Sequence, residues 1–135
     1  MSSQTKNDEI SSEEIKFRVE PLSKTLVINS KILKIISKKR LEFDENGNKV
    51  PTGTRYVMLS NIRERKLIFS VDEIKQAIKA LESGKPQGHF MASVVDDSVI
   101  KFEYKTNILT LDIDEREWII LAFTELIEVI KSIDQ

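Results

Sequence analysis

Between Ile15 and Phe69 runs of residues place apolar side chains at every second position, and the spacing then becomes helical; the same switch is repeated about forty residues later. Ile15, Phe17 and Val19 alternate with Lys16, Arg18 and Glu20, and Pro21 is expected to end that run. Leu26 and Ile28 resume it, and Ile32 to Phe43 continues with β-branched residues and no helix cap. Asp44 to Asn48 reads as a turn and Pro51 to Gly53 as a loop. Thr54 to Asn61 and Arg65 to Phe69 read as two further strands. A first helix is expected from Val71 to Ser83, because Ile74, Ala77, Ile78 and Leu81 share one face and Gly84 and Pro86 close it. His89 to Val95, Val99 to Tyr104 and Asn107 to Ile113 return to strand spacing, and a second helix follows from Asp114 to Ile133.

The two switches share a local grammar. Leu67, Ile68 and Phe69 lead through Ser70, Val71, Asp72 and Glu73 into the first helix; Leu109, Thr110 and Leu111 lead through Asp112, Ile113, Asp114 and Glu115 into the second. Ser70 and Asp112 are placed to cap, with Glu73 and Glu115 three residues on to reach back, as in a capping box. The chain therefore reads as an α+β fold of two halves, each a sheet followed by a helix. The second helix is apolar on more than one face, with Trp118, Phe123, Leu126 and Ile130 offered as an interface between subunits.

Charge makes the halves unequal. The whole chain of 135 residues carries a formal charge of −1, yet residues 15–66 hold thirteen Lys and Arg against five acids, a surplus of +8. Residues 67–135 hold seven against thirteen, or −6, and residues 1–14 hold one against four, or −3. A pI near 5.9 thus hides a basic half suited to a polyanion. Residues 1–14 lack aromatics and periodicity and read as a disordered acidic tail, leaving 15–135 as one domain able to bury about two-thirds of its unfolded surface. No cysteine is present, which removes disulfides, thiolate metal sites and a cysteine nucleophile. With no signal-like or membrane-spanning apolar run, a cytoplasmic location and no membrane partner are expected.

The candidate chemistry lies in the basic half. As a strand, Ile32 to Arg40 puts Ile32, Lys34, Ile36, Lys38 and Arg40 on one face, alternating cations with apolar groups. Cations neutralise phosphates and apolar side chains accept unstacked bases, the combination used in sequence-tolerant single-strand binding. The same strand also fits an ordinary solvated face with lysines guarding a sheet edge. Arg55, Tyr56, Arg63, Arg65 and Lys66 add cations and a ring on neighbouring strands, and Phe17 and Tyr104 are further candidates for contact with bases. His89, the sole histidine, reads as a hydrogen-bonding strand-edge residue. The acids at 96–97 and 112–117 are accounted for by turn and helix-start chemistry. There is no phosphate-binding glycine loop, nucleophile elbow or zinc spacing, so neither catalysis nor a cofactor is expected.

These residues carry a family resemblance. Arg65-Lys66-Leu67-Ile68-Phe69-Ser70-Val71-Asp72-Glu73-Ile74 resembles the strand-to-helix segment of the Whirly single-stranded-DNA-binding proteins. Gly88-His89-Phe90-Met91, Ser93-Val94, and Ile113 with Arg116, Glu117, Trp118, Leu121, Ala122 and Phe123 are similar to that family's later strand and final helix. The final helix is also similar to that of the positive-cofactor-four transcription coactivators. The resemblance spans residues 15–133 as spaced pattern. It implies two antiparallel sheets with four strands before each helix, and a homodimer or homotetramer assembled through the helices. The second half shows three strands rather than four, and Ser23 to Val27 is only a distant counterpart of the family's Lys-Gly-Lys-Ala-Ala-Leu motif. The expected function is binding of single-stranded DNA or RNA. Two other readings use the same residues: a transcription regulator that also touches the transcription machinery, and a protein-interaction module whose basic face meets an acidic partner.

Overall fold

The architecture comes from a computed structural model, which describes residues 18–22, 25–40, 42–43, 45–50 and 54–133. The expected acidic tail and Phe17 lie outside the described residues. Among the described residues, ten strands and two helices follow in the order β1 (Glu20–Leu22), β2 (Thr25–Asn29), β3 (Leu33–Lys39), β4 (Glu42–Phe43), β5 (Lys49–Val50), β6 (Arg55–Asn61), β7 (Lys66–Ser70), α1 (Ile74–Ser83), β8 (Phe90–Asp96), β9 (Val99–Tyr104), β10 (Asn107–Asp112) and α2 (Glu115–Ile133). A single 3-10 turn, Val71–Glu73, precedes α1.

The first sheet is antiparallel with strand order β1-β2-β3-β6-β7, and the second is antiparallel with order β10-β9-β8; β4 and β5 form a separate ribbon. This is an α+β fold with a five-stranded and a three-stranded sheet and two helices, rather than four strands ahead of each helix. The run from Ile32 to Phe43 breaks at Arg40, whose N–H donates to Thr54 O at 2.9 Å and closes the β3–β6 ladder before the β4–β5 ribbon begins. Pro21 does not end a strand: it pairs with Leu26 inside β1. β1 is the outermost strand of its sheet, where a residue without an N–H is tolerated.

The core is where the buried faces of both sheets meet the helices. Leu26, Ile28, Leu33, Ile35, Val57, Leu59, Leu67 and Phe69 line the inner face of the first sheet. Phe90, Phe102, Tyr104, Leu109 and Leu111 line that of the second. α1 packs on β8 and on α2, and β7 runs beside β10 where the sheets adjoin. Phe69 joins the layers: its ring lies 5.1 Å from Phe90, 5.8 Å from Tyr104 and 5.7 Å from Phe123, centroid to centroid. Gly84 ends α1 at φ 69°, with its N–H donating to Ala80 O at 2.9 Å, the left-handed cap that glycine adopts without strain.

The surplus apolar side chains of α2 are used within the chain. Phe123 and Leu126 are fully buried and Ile130 is 7% exposed, because Ile119, Ala122, Phe123, Leu126 and Ile130 form one stripe at i, i+3, i+4, i+7 and i+11 against both sheets and α1. Three of the four residues expected at a subunit interface are thus core, and Trp118 packs partly against the same core. The apolar groups that α2 leaves exposed are Leu121 and Ile133.

Candidate nucleic-acid interface

Strand alternation divides the first sheet as expected: along β3, Leu33, Ile35 and Ser37 are buried, Lys34 and Lys38 are exposed, and Ile36 is half-buried. The ladder registers extend this across the sheet. One row places Asn29, Lys34, Ser60 and Lys66 side by side on β2, β3, β6 and β7. The next outward-facing row is Val27, Ile36, Met58 and Ile68. The third is Lys38, Tyr56 and Ser70, with the Arg40 guanidinium 5.6 Å from the centre of the Tyr56 ring. An apolar band, spanning about 14 Å over four strands about 4.8 Å apart, therefore lies between two polar rows that carry cations. Val27 is nearly covered and Ile68 is 43% exposed, so the band opens toward β7.

The end of the face nearest Lys34 and Lys66 is built from two turns. In the β2–β3 turn, Ser30 Oγ accepts the N–H groups of Ile32 and Leu33 at 3.2 and 2.8 Å. In the β6–β7 turn, Asn61 Oδ1 accepts the N–H groups of Arg63 and Arg65 at 3.1 and 3.2 Å, and Glu64 adopts φ 63°. A glutamate in the left-handed region costs about 1 kcal/mol, a strain this hydrogen-bonded turn sustains. The Ile62 N–H donates to Ile32 O at 3.1 Å and ties the turns together. Ile62 is 70% exposed and Ile32 37%. Among the described residues Lys31, Lys34, Lys38, Arg63, Arg65 and Lys66 have no carboxylate partner.

Of the residues expected from sequence, Ile32, Lys34, Ile36, Lys38, Arg40, Tyr56 and Lys66 come together on this face, with Arg63 and Arg65 at its end. Arg55 does not. It shares the phase of Val57 and Leu59 on β6, is 7% exposed on the inner face, and donates from Nη1 to Ser37 O at 3.1 Å. Tyr104 does not either: it is 6% exposed on the buried face of the second sheet, and its hydroxyl donates to Glu73 Oε1 at 2.9 Å. Sequence reasoning missed Val27, Met58 and Ile68, which complete the band, and Lys31 and Ile62 at the tip. Alternation along β6 and β7 carried the first signal, but only the cross-strand register aligns those residues with Ile36.

Glu73 belongs to the connection between the halves. Its Oε1 accepts the Ser70 N–H at 3.1 Å and the Ser70 hydroxyl at 3.0 Å, so the reach-back expected of the first junction is present. Burial would raise its carboxyl, but the hydrogen bonds from Ser70 and Tyr104 and the charge of Lys105 outweigh that and hold it below the ordinary glutamate value. Burial pushes the Tyr104 hydroxyl up, and its bond to the Glu73 carboxylate pushes it further. The second junction repeats the reach-back, with the Asp112 N–H donating to Glu115 Oε1 at 2.6 Å. Among the described residues there is no cluster of three metal-ligating side chains, and no helix is long and apolar enough to cross a membrane. No family model matches the chain, and neither the curated proteins nor the solved structures gave a match.

Proposed function

We propose that the outer face of the first sheet binds single-stranded nucleic acid, DNA or RNA, with little dependence on sequence and without catalysis. The observation that carries this reading is the apolar band Val27–Ile36–Met58–Ile68 set between rows that hold unpaired cations. Lys34 and Lys66 on one side, and Lys38 and Arg40 on the other, neutralise phosphates, while unstacked bases lie on the band and against Tyr56. A duplex keeps its base faces stacked inside and offers the band nothing, so unpaired strands are preferred. This is the ligand class of the Whirly and positive-cofactor-four proteins that parts of the sequence resemble. Self-association into a dimer or tetramer belongs to the same proposal, with Leu121 and Ile133 as the apolar groups α2 still offers.

Fluorescence anisotropy of a labelled oligothymidine, at low and moderate salt, tests the reading. Binding that weakens with salt is expected; no binding at micromolar protein overturns it. Polyglutamate at equal charge, used as a competitor, separates a general preference for acidic partners from one that needs bases.

A further inference from the structure

Resting on the reading of the sheet face as a nucleic-acid surface, we propose that the tip bearing Ile62, with Ile32 beside it, is a wedge that enters the base stack where a bound single strand meets a duplex. Ile62 is 70% exposed, which leaves a large aliphatic group in water with no structural role. Its position is nonetheless fixed closely. Its own N–H is bonded to Ile32 O, Asn61 Oδ1 accepts the N–H groups of Arg63 and Arg65, Asn61 N–H donates to Arg65 O, and Glu64 N–H donates to Asn61 O. The left-handed Glu64 is the backbone cost of that shape.

The surroundings identify the partner. Lys31, Arg63, Arg65 and Lys66 lie in or beside the two turns that carry the isoleucines, without carboxylate partners among the described residues, and outnumber the one exposed acid there, Glu64, so the apolar point stands in a net positive setting. A base step has the complementary form, with apolar ring faces at the centre and phosphates on both flanks. Apolar side chains inserted at such steps unstack them, most easily where the stack already ends. The tip is also continuous with the basic row of the face through Lys34 and Lys66, so a strand on the band leads its duplex end to Ile62. A lipid surface would also accept cations around an apolar point. The tip, however, has only two isoleucines and no aromatic residue, and it joins a face suited to unpaired bases.

The test compares an oligothymidine, a DNA hairpin carrying the same oligothymidine as a tail with 2-aminopurine at the junction, and vesicles of phosphatidylserine with phosphatidylcholine. The intact chain is expected to bind the tailed hairpin several-fold tighter than the tail alone and to brighten the junction 2-aminopurine as it unstacks. Ile62→Ser is expected to remove both effects while leaving oligothymidine affinity and the melting temperature unchanged. Equal affinity for hairpin and tail, with a dark junction, overturns the wedge and leaves the face intact. So does a loss that Ile62→Ser imposes equally on both ligands, which makes Ile62 one more contact of the face. Vesicle binding that Ile62→Ser abolishes, without a junction preference, makes the tip a membrane contact instead. If oligothymidine itself does not bind, the reading of the face fails, and the wedge with it.

Discussion

Glu73 and Glu115 occupy matching places in the two strand-to-helix junctions, yet their surroundings move them in opposite directions. Glu73 is held below its ordinary value although burial opposes this, because Ser70, Tyr104 and Lys105 favour the carboxylate. Glu115 is raised, first by burial and then by the charges of Asp112 and Asp114, against the hydrogen bond from the Asp112 backbone. A depressed carboxyl adds stability that is full above its unfolded pKa and is lost as pH falls through the folded one. A raised carboxyl adds stability that is full below its unfolded pKa and is lost as pH rises through the folded one. Urea unfolding across the acidic range is therefore expected to show the advantage of the native chain over Glu73→Gln shrinking on acidification, and that over Glu115→Gln growing. Tyr104→Phe removes a donor to Glu73 and is expected to cost about 1 kcal/mol in the same assay. Arg55 and Lys38 make a second contrast. Arg55→Met, which breaks the buried bond to Ser37, should destabilise by about 1–2 kcal/mol, whereas Lys38→Ala should leave stability within about 0.5 kcal/mol and weaken oligothymidine binding.

At the level of elements, the period of the sequence located β2, β6 to β10 and both helices, because residues facing the core impose spacings of two or about 3.6 that can be read without a partner. The hidden part was what one element does to another. The surplus of α2 reads as an interface in isolation, yet α1, β10 and the Phe69 ring pack on one side of that helix, where Phe123, Leu126 and Ile130 are buried. Leu126→Ala should accordingly cost about 2–5 kcal/mol measured by chemical denaturation, while Leu121→Ser, at an exposed place, should change oligomer mass by light scattering if α2 joins subunits. Arg55 shows the same limit on a smaller scale: its cationic side chain suggested the ligand face, while its parity with Val57 and Leu59 put it inside. Gly84→Ala places a side chain at φ 69° and should lose about 1 kcal/mol.

For the molecule as a whole, the legible part of the site was its charge. The surplus in residues 15–66 marked the half that carries the proposed face, and the alternation in β3 marked the face itself. The apolar band needed the registers of four strands, which a single chain read along its length does not contain. If Lys34, Lys38, Arg40 and Lys66 each meet one phosphate, the log–log salt slope for oligothymidine should be about −2.8, and Lys34→Ala with Lys66→Ala should reduce it by about 1.4. The Glu73 contact has a further consequence. Ser70 and Glu73 close the first sheet-and-helix half, Tyr104 belongs to the second, and Phe69 sets its ring among the aromatics of that second half. Neither half can open without exposing the other's buried rings and stranding a tyrosine hydroxyl. Calorimetry should therefore show one unfolding endotherm, and the slowest amide exchange in β7 and β9 should respond together to Tyr104→Phe, making the doubled pattern of the sequence a single cooperative unit in solution.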